Sequence, residues 1–193
     1  MTEEAREWMT WADLGVAVEE LAEQIDAEAF RPDAVLALAR GGLPVGGALA
    51  YALGVKNMAT LNVEFYTGVD ERLEEPSLLP PVPDLSLLRT ERLLVVDDVA
   101  DTGRTLALAR DFCARHGPEV RTAVLYEKPQ SVVRCDFVWR RTDRWINFPW
   151  STPFGGPERD GFARVDRSFQ TDGRAEPTPP GGGTASGAAA GAT

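Results

Sequence analysis

Leu93-Leu94-Val95-Val96-Asp97-Asp98-Val99-Ala100-Asp101-Thr102-Gly103-Arg104-Thr105-Leu106 is the stretch on which the reading of this chain turns. An apolar run ends in three carboxylates and a Thr-Gly-x-Thr turn, and Leu106 to His116 then continues at helical spacing up to Gly117-Pro118. Four consecutive apolar residues, two of them β-branched, suit a strand buried on both faces of a parallel sheet. The stretch therefore predicts strand, acidic loop, phosphate cradle and helix. In open α/β sheets ligands bind beyond the carboxyl ends of the strands, where the first free N–H groups of the next helix face anions. Thr102 to Thr105 are placed to hold a phosphate. Asp97 and Asp98 accept hydrogen bonds only, so beside an anion cradle they call for a bridging Mg²⁺, sugar hydroxyls or both. The competing reading is a solvated acidic turn with Asp101 or Thr102 as a helix cap. A Walker A loop is excluded, since G-x-x-x-x-G-K-[ST] occurs nowhere.

Upstream, Thr10-Trp11-Ala12-Asp13 has the form of a capping box, and Leu14, Val18, Leu21 and Ile25 follow at helical spacing. Ala34 to Ala39 reads as a buried strand, Arg40-Gly41-Gly42 as a turn with one cation and two permissive residues, and Leu43 to Leu53 as a helix stopped by Gly54. The turn is a second anion site. Lys56 to Tyr66 suits another strand. From Thr67 to Thr90 the chain turns acidic and Pro-rich, which makes a regular element improbable and a functional lid the favoured expectation. Downstream, Val120 to Tyr126 and Cys135 to Arg140 are further strands, separated by Glu127-Lys128-Pro129. Arg144 to Trp150 reads as an aromatic loop because Pro149 and Pro153 interrupt any element. Strands alternating with helices predict a mostly parallel α/β sheet with its ligand loops on one edge.

A chain of 193 residues with 44% hydrophobic composition supports one well-buried core. Its formal charge of −10 argues against a nucleic-acid binder, whose affinity rests on neutralising phosphates. No apolar run is long enough to span a membrane, and no basic-then-apolar leader opens the chain, so a soluble cytoplasmic protein is expected. Cys113 and Cys135 lack metal-ligand spacing and read as buried free thiols; His116 reads as a cation closing a helix. The organisation expected is one domain over 1–170 and a disordered Pro/Gly/Ala-rich tail over 171–193.

In order and spacing the central stretch resembles the phosphoribosyl-diphosphate (PRPP) signature of type I phosphoribosyltransferases. Three further blocks join it: Met9 to Leu14, Leu38 to Leu43, and Leu125-Tyr126-Glu127-Lys128-Pro129 followed by Trp145-Ile146-Asn147-Phe148-Pro149-Trp150. Together, over residues 9 to 151, they look like the bacterial and archaeal xanthine-guanine and hypoxanthine members. The resemblance implies the type I fold, a twisted parallel sheet flanked by helices with a mobile lid and a small base-binding hood. It implies that Arg40, Gly41 and Gly42 bind pyrophosphate, and that Asp97 and Asp98 face the ribose hydroxyls and Mg²⁺. Asp101 would lie near N7 of the base, completing the catalytic acids, and with Thr102, Gly103, Arg104 and Thr105 would frame the 5′-phosphate. Lys128 would reach a purine 6-oxo group, and Trp145 with Ile146 would form the base pocket. The activity implied is transfer of the phosphoribosyl group from PRPP to a 6-oxopurine in purine salvage, by a homo-oligomer, dimer or tetramer. The alternative is a non-catalytic PRPP-binding regulator of the same fold.

Overall fold

The computed structural model describes residues 6–68, 71–80, 82–83 and 91–151. The 171–193 tail and parts of the proposed lid, at 69–70, 81 and 84–90, lie outside them. The elements run β1 (Arg6–Trp8), α1 (Trp11–Ala27), β2 (Ala34–Ala39), α2 (Gly42–Ala52), β3 (Met58–Gly68), β4 (Glu71–Leu79), β5 (Arg92–Ala100), α3 (Arg104–Ala114), β6 (Glu119–Glu127), β7 (Phe137–Arg141) and β8 (Trp145–Asn147). Six strands form one sheet in the order β4-β3-β2-β5-β6-β7, all parallel except the β3–β4 pair.

The apolar runs of β2 and β5 are split residue by residue between two cores, as the period of two along a strand requires. Val35, Leu94 and Val96 join Leu14, Leu21, Val45 and Leu49 of α1 and α2. Leu36, Leu38, Leu93 and Val95 face Leu106, Ala109 and Cys113 of α3. At the start of α1 the expected capping box is complete: Thr10 Oγ1 accepts from the Asp13 N–H at 3.1 Å, and Asp13 Oδ2 accepts from the Thr10 N–H at 2.8 Å. Both cysteines are buried and free, and burial pushes each thiol up to about 12. His116 Nδ1 lies 2.9 Å from the Phe112 carbonyl in the last turn of α3.

Three segments depart from the sequence-based expectation. Within the proposed lid, Glu71–Leu79 is a regular strand, antiparallel to β3 at the edge of the sheet. An edge strand tolerates proline, whose missing N–H is not needed on the open side. The ladder register shifts between Glu64↔Ser77 and Tyr66↔Arg72, so Pro76 sits beside an irregularity. Secondly, the aromatic loop contains a strand, β8. It pairs in parallel with β1, in the register Arg6↔Trp145, Glu7↔Ile146 and Trp8↔Asn147, and Met9 N extends the ladder by donating to Asn147 O at 3.0 Å. Thirdly, β1 lies in a polar stretch for which the sequence predicts no element. Both strands are three residues long, too short for a periodic signal.

Candidate active site

The order β3-β2-β5-β6 makes the β2/β5 boundary the switch point of the sheet: from β2 the chain continues through α2 to β3 on one side, and from β5 through α3 to β6 on the other. A crevice opens at such a point because the two connections diverge. Arg40-Gly41-Gly42 and Asp97-Asp98 stand at the carboxyl ends of these two adjacent strands. Neither helix that follows has a side-chain cap from its N-cap residue or an acid in its first turn. Leu43 N of α2 donates to Arg40 O at 3.1 Å and Arg104 N of α3 makes a long 3.5 Å contact to Thr102 Oγ1, while the other first-turn N–H groups and the partial positive charge remain available to an anion. α1, which leads away from this edge, has its cap.

The Gly-Gly pair reads from sequence as a route for close approach to a ligand, and the structure adds a reason within the fold. A Cβ on Gly42 would lie 2.4 Å from the Val96 carbonyl oxygen, and one on Gly41 would lie 2.1 Å from Asp98 Oδ2. The turn packs directly on the end of β5. Gly42→Ala is accordingly expected to destabilise the fold by about 1–3 kcal/mol, since backbone is what blocks the new methyl. A thermal midpoint equal to wild type would show that the turn can yield. Arg40 is exposed and has no ion-pair partner among the described residues; the Ala39–Arg40 peptide is cis.

Asp97 and Asp98 are half-buried. Burial, then the neighbouring Asp98 charge, pushes the Asp97 carboxyl well above the usual carboxylate range. Burial also raises Asp98, against the pull of the Trp150 indole. Asp97 Oδ1 accepts from the Asp98 N–H at 2.9 Å, and Asp98 Oδ2 accepts from Trp150 Nε1 at 2.9 Å. Neither acid has a cationic partner among the described residues. Two desolvated carboxylates without a cationic partner are the groups here that could hold a divalent cation. They supply only part of its shell, for no group of three or more ligating residues occurs among the described residues. That suits Mg²⁺, which keeps water and substrate oxygens among its ligands.

The loop from Asp101 to Thr105 is fastened to the loop after β6. Lys128 N donates to Ala100 O at 3.0 Å, Val132 N to Thr102 O at 2.9 Å, and Gln130 Nε2 to Asp101 Oδ1 at 2.7 Å. Gly103 has φ of 73° and begins α3; a Cβ there would meet Ser131 Oγ at 2.3 Å. Only glycine adopts this left-handed backbone freely while leaving room for Ser131. Asp101, Thr102 and Arg104 are exposed and Thr105 half-buried, so the cradle opens outward.

Lys128 is buried, and its ammonium donates to the backbone carbonyls of Asp143 and Arg144. It does not pair with Glu127. That carboxylate is fully buried, accepting from Arg141 Nε at 3.0 Å, Arg134 Nη1 at 3.1 Å and the Cys135 N–H at 2.8 Å. Burial acts to raise Glu127, but the Cys135 N–H and the two guanidinium groups outweigh it and hold the carboxyl below its ordinary value. A depressed carboxyl contributes stability that is complete above the unfolded value, about 4.3, and fades as pH falls through the lower folded value. Urea midpoints measured from pH 7 to pH 3 should therefore fall more steeply in wild type than in Glu127→Gln. Parallel curves would remove Glu127 from the acid response. Glu127→Ala should cost about 3 kcal/mol at pH 7, since it strands the buried Cys135 N–H and both arginines.

β8 places Trp145 and Ile146 on opposite faces. Trp145 is 59% exposed, whereas Ile146, expected in the base pocket, is buried and packs in the core. Beyond them Trp150 stacks on Phe148, with ring centroids 5.0 Å apart and planes at 13°. Trp150 and Gln130 are contacts that the sequence does not announce, because each reaches its acid across a long sequence separation. A separate concavity of about 930 Å³ lies by the amino ends of β2 and β3, lined by Phe30, Asp33, Gly54 and Lys56 among others. It gathers none of the sequence-predicted site residues.

Among the described residues no helix is long and apolar enough to cross a membrane. The family model described as "Phosphoribosyl transferase domain" matches residues 10–154. A xanthine-guanine phosphoribosyltransferase of Ruegeria sp. is 33% identical over 123 residues, covering 61% of this chain and 67% of the relative. One from Idiomarina loihiensis is 30% identical over 147 residues, covering 74% and 85%. The crystal structure of a purine phosphoribosyltransferase from Pyrococcus horikoshii superposes with a TM-score of 0.64 at 33% identity, over 75% of this chain and 93% of that one. The match extends over most of the chain and takes in both strand-end turns, the acid pair and the Lys128 loop: this chain belongs to the phosphoribosyltransferase family.

Proposed function

We propose that this enzyme transfers the 5-phosphoribosyl group of PRPP to N9 of a 6-oxopurine, releasing pyrophosphate, as a purine salvage enzyme of the cytoplasm. The observation that carries the reading is the convergence, at one switch point, of two uncapped helix N-termini, an unpaired acid pair and the buried Lys128. The relatives' names support the purine. Arg40 with the Gly41-Gly42 turn holds the pyrophosphate, and Asp101, Thr102, Gly103, Arg104 and Thr105 frame the 5′-phosphate through the α3 N-terminus. Asp97 and Asp98 face the ribose and would hold Mg²⁺, which supplies charge stabilisation to the departing pyrophosphate.

Breaking the C1–O bond leaves positive charge on the ribosyl carbon and negative charge on pyrophosphate, so the site must stabilise both ends and keep water away. Asp97 and Asp98 stand on the ribosyl side, Arg40 and the α2 N-terminus on the pyrophosphate side. Asp101 has Oδ1 held by Gln130, which leaves Oδ2 to face N7 and the proton the base gives up. Lys128 has three donors, two of them on the Asp143 and Arg144 carbonyls, and the third is left for the 6-oxo oxygen. Trp145 covers a face of the base. The antiparallel β3–β4 pair is the cover we assign to the exclusion of water, and a homo-oligomer is the assembly we infer.

The test is to incubate the protein with PRPP, Mg²⁺ and hypoxanthine, guanine, xanthine or adenine and to follow pyrophosphate. Release with at least one 6-oxopurine is expected. PRPP binding without turnover of any base would replace the enzyme by a PRPP-binding regulator.

A further inference from the structure

We propose that Trp150 is a positioning residue for phosphoribosyl transfer, holding the Asp98 carboxylate in the orientation in which it meets ribose and metal. The proposal rests on the reading of Asp98 given above and adds the residue through which Asp98 is aimed. Three elements meet at this carboxyl group. Asp98 lies in β5 near its carboxyl end, the Gly41 turn leaves no room for a methyl between its Cα and Asp98 Oδ2, and the Trp150 indole donates to the same oxygen at 2.9 Å. The carboxylate is clamped from two sides.

The donor itself is held in place. Trp150 stacks on Phe148 and lies against Trp11 with ring centroids 5.6 Å apart, so its ring has little freedom to turn the N–H away. The backbone below it is closed by Ser151, whose Oγ accepts from Phe148 N at 3.1 Å and donates to Phe148 O at 2.9 Å. An indole is a neutral donor with a single N–H. It directs one oxygen without neutralising the carboxylate, whereas Lys or Arg at this place would compete with the cation for the same charge. Trp150 also follows Trp145 on the same short segment, so the strand that carries the base-stacking ring leads directly into the contact with the ribose-facing acid.

The experiment is a double-mutant cycle on the full chain between Trp150→Phe and Asp98→Asn, read by PRPP affinity in the presence of Mg²⁺ (calorimetry), by kcat and KM for PRPP, and by thermal midpoint. Phenylalanine keeps the stacking and removes the N–H. Losing a hydrogen bond to a charged group should weaken PRPP binding and lower kcat/KM by about tenfold, with the midpoint little changed. In the Asp98→Asn background Trp150→Phe should add much less than that factor, because the indole then holds a neutral amide oxygen and the charge that meets ribose and metal is already gone. Trp150→His, which restores a ring N–H, should recover part of the loss and also serves if the Phe variant folds poorly. Wild-type PRPP affinity and kcat/KM in Trp150→Phe, or losses that multiply fully in the double variant, would overturn the proposal. A wild type that binds PRPP with Mg²⁺ but turns over no base would overturn the functional reading alone, and the cycle is then decided on binding.

Discussion

Asp97→Asn and Asp98→Asn are each expected to lower turnover by about a hundredfold or more with the fold keeping its stability, if the two acids act on ribose and metal as proposed. Burial and mutual repulsion hold Asp97 well above the ordinary carboxylate range, and burial raises Asp98 as well. Groups raised in this way cost stability at neutral pH, since the folded protein must carry charges that it does not neutralise. Asparagine has nearly the same shape and can still accept the 2.9 Å bonds that Asp97 Oδ1 and Asp98 Oδ2 receive. Removing one of two adjacent charges relieves the repulsion, so the thermal midpoint should hold or rise. The measurement is kcat at saturating PRPP and base beside a thermal unfolding curve. Near-wild-type rates in both variants would take the acid pair out of the mechanism. A large drop in the midpoint would reassign the pair to the fold.

Lys128→Ala is expected to lower kcat/KM for 6-oxopurines by about a hundredfold and to narrow their advantage over adenine. An ammonium has donors only, so it rewards a 6-oxo acceptor and finds no partner in the 6-amino group of adenine. In a desolvated site the mismatch leaves a charge unpaired, which is why a site built for one hydrogen bond rejects its opposite strongly. The structure sharpens the experiment, because Lys128 also ties its loop to the carbonyls of Asp143 and Arg144, just before Trp145. Some loss of stability in Lys128→Ala is therefore expected under either role. The base ratio separates the two. A variant with a lower thermal midpoint but the wild-type preference among hypoxanthine, guanine, xanthine and adenine would make Lys128 a structural tie and sink the proposed base contact.

What the sequence determined by itself was local in character. The strand and helix of Leu93 to Leu106, the Thr10–Asp13 capping box, the alternation of strands and helices, and the free cysteines rest on neighbouring residues whose pattern carries its physical cause. Asp97 and Asp98 lie inside the strand, where the sequence predicts a loop, because β6 pairs with β5 as far as Ala100. What the tertiary structure alone decided depends on contacts between distant segments. β1 and β8 are each too short to show a period and exist as strands because they pair with one another across a long separation in sequence. β4 reads as irregular because of Pro76 and its many acids, and becomes a strand because an edge position forgives both. Gly41 and Gly42 read as openings for a ligand, and only the packing of β2 beside β5 shows that Asp98 and Val96 already occupy the space a methyl would need. The bond from Trp150 to Asp98 spans 52 residues of sequence. No local spacing encodes it, because which side chains meet across a crevice is fixed by the order and register of the strands that carry them.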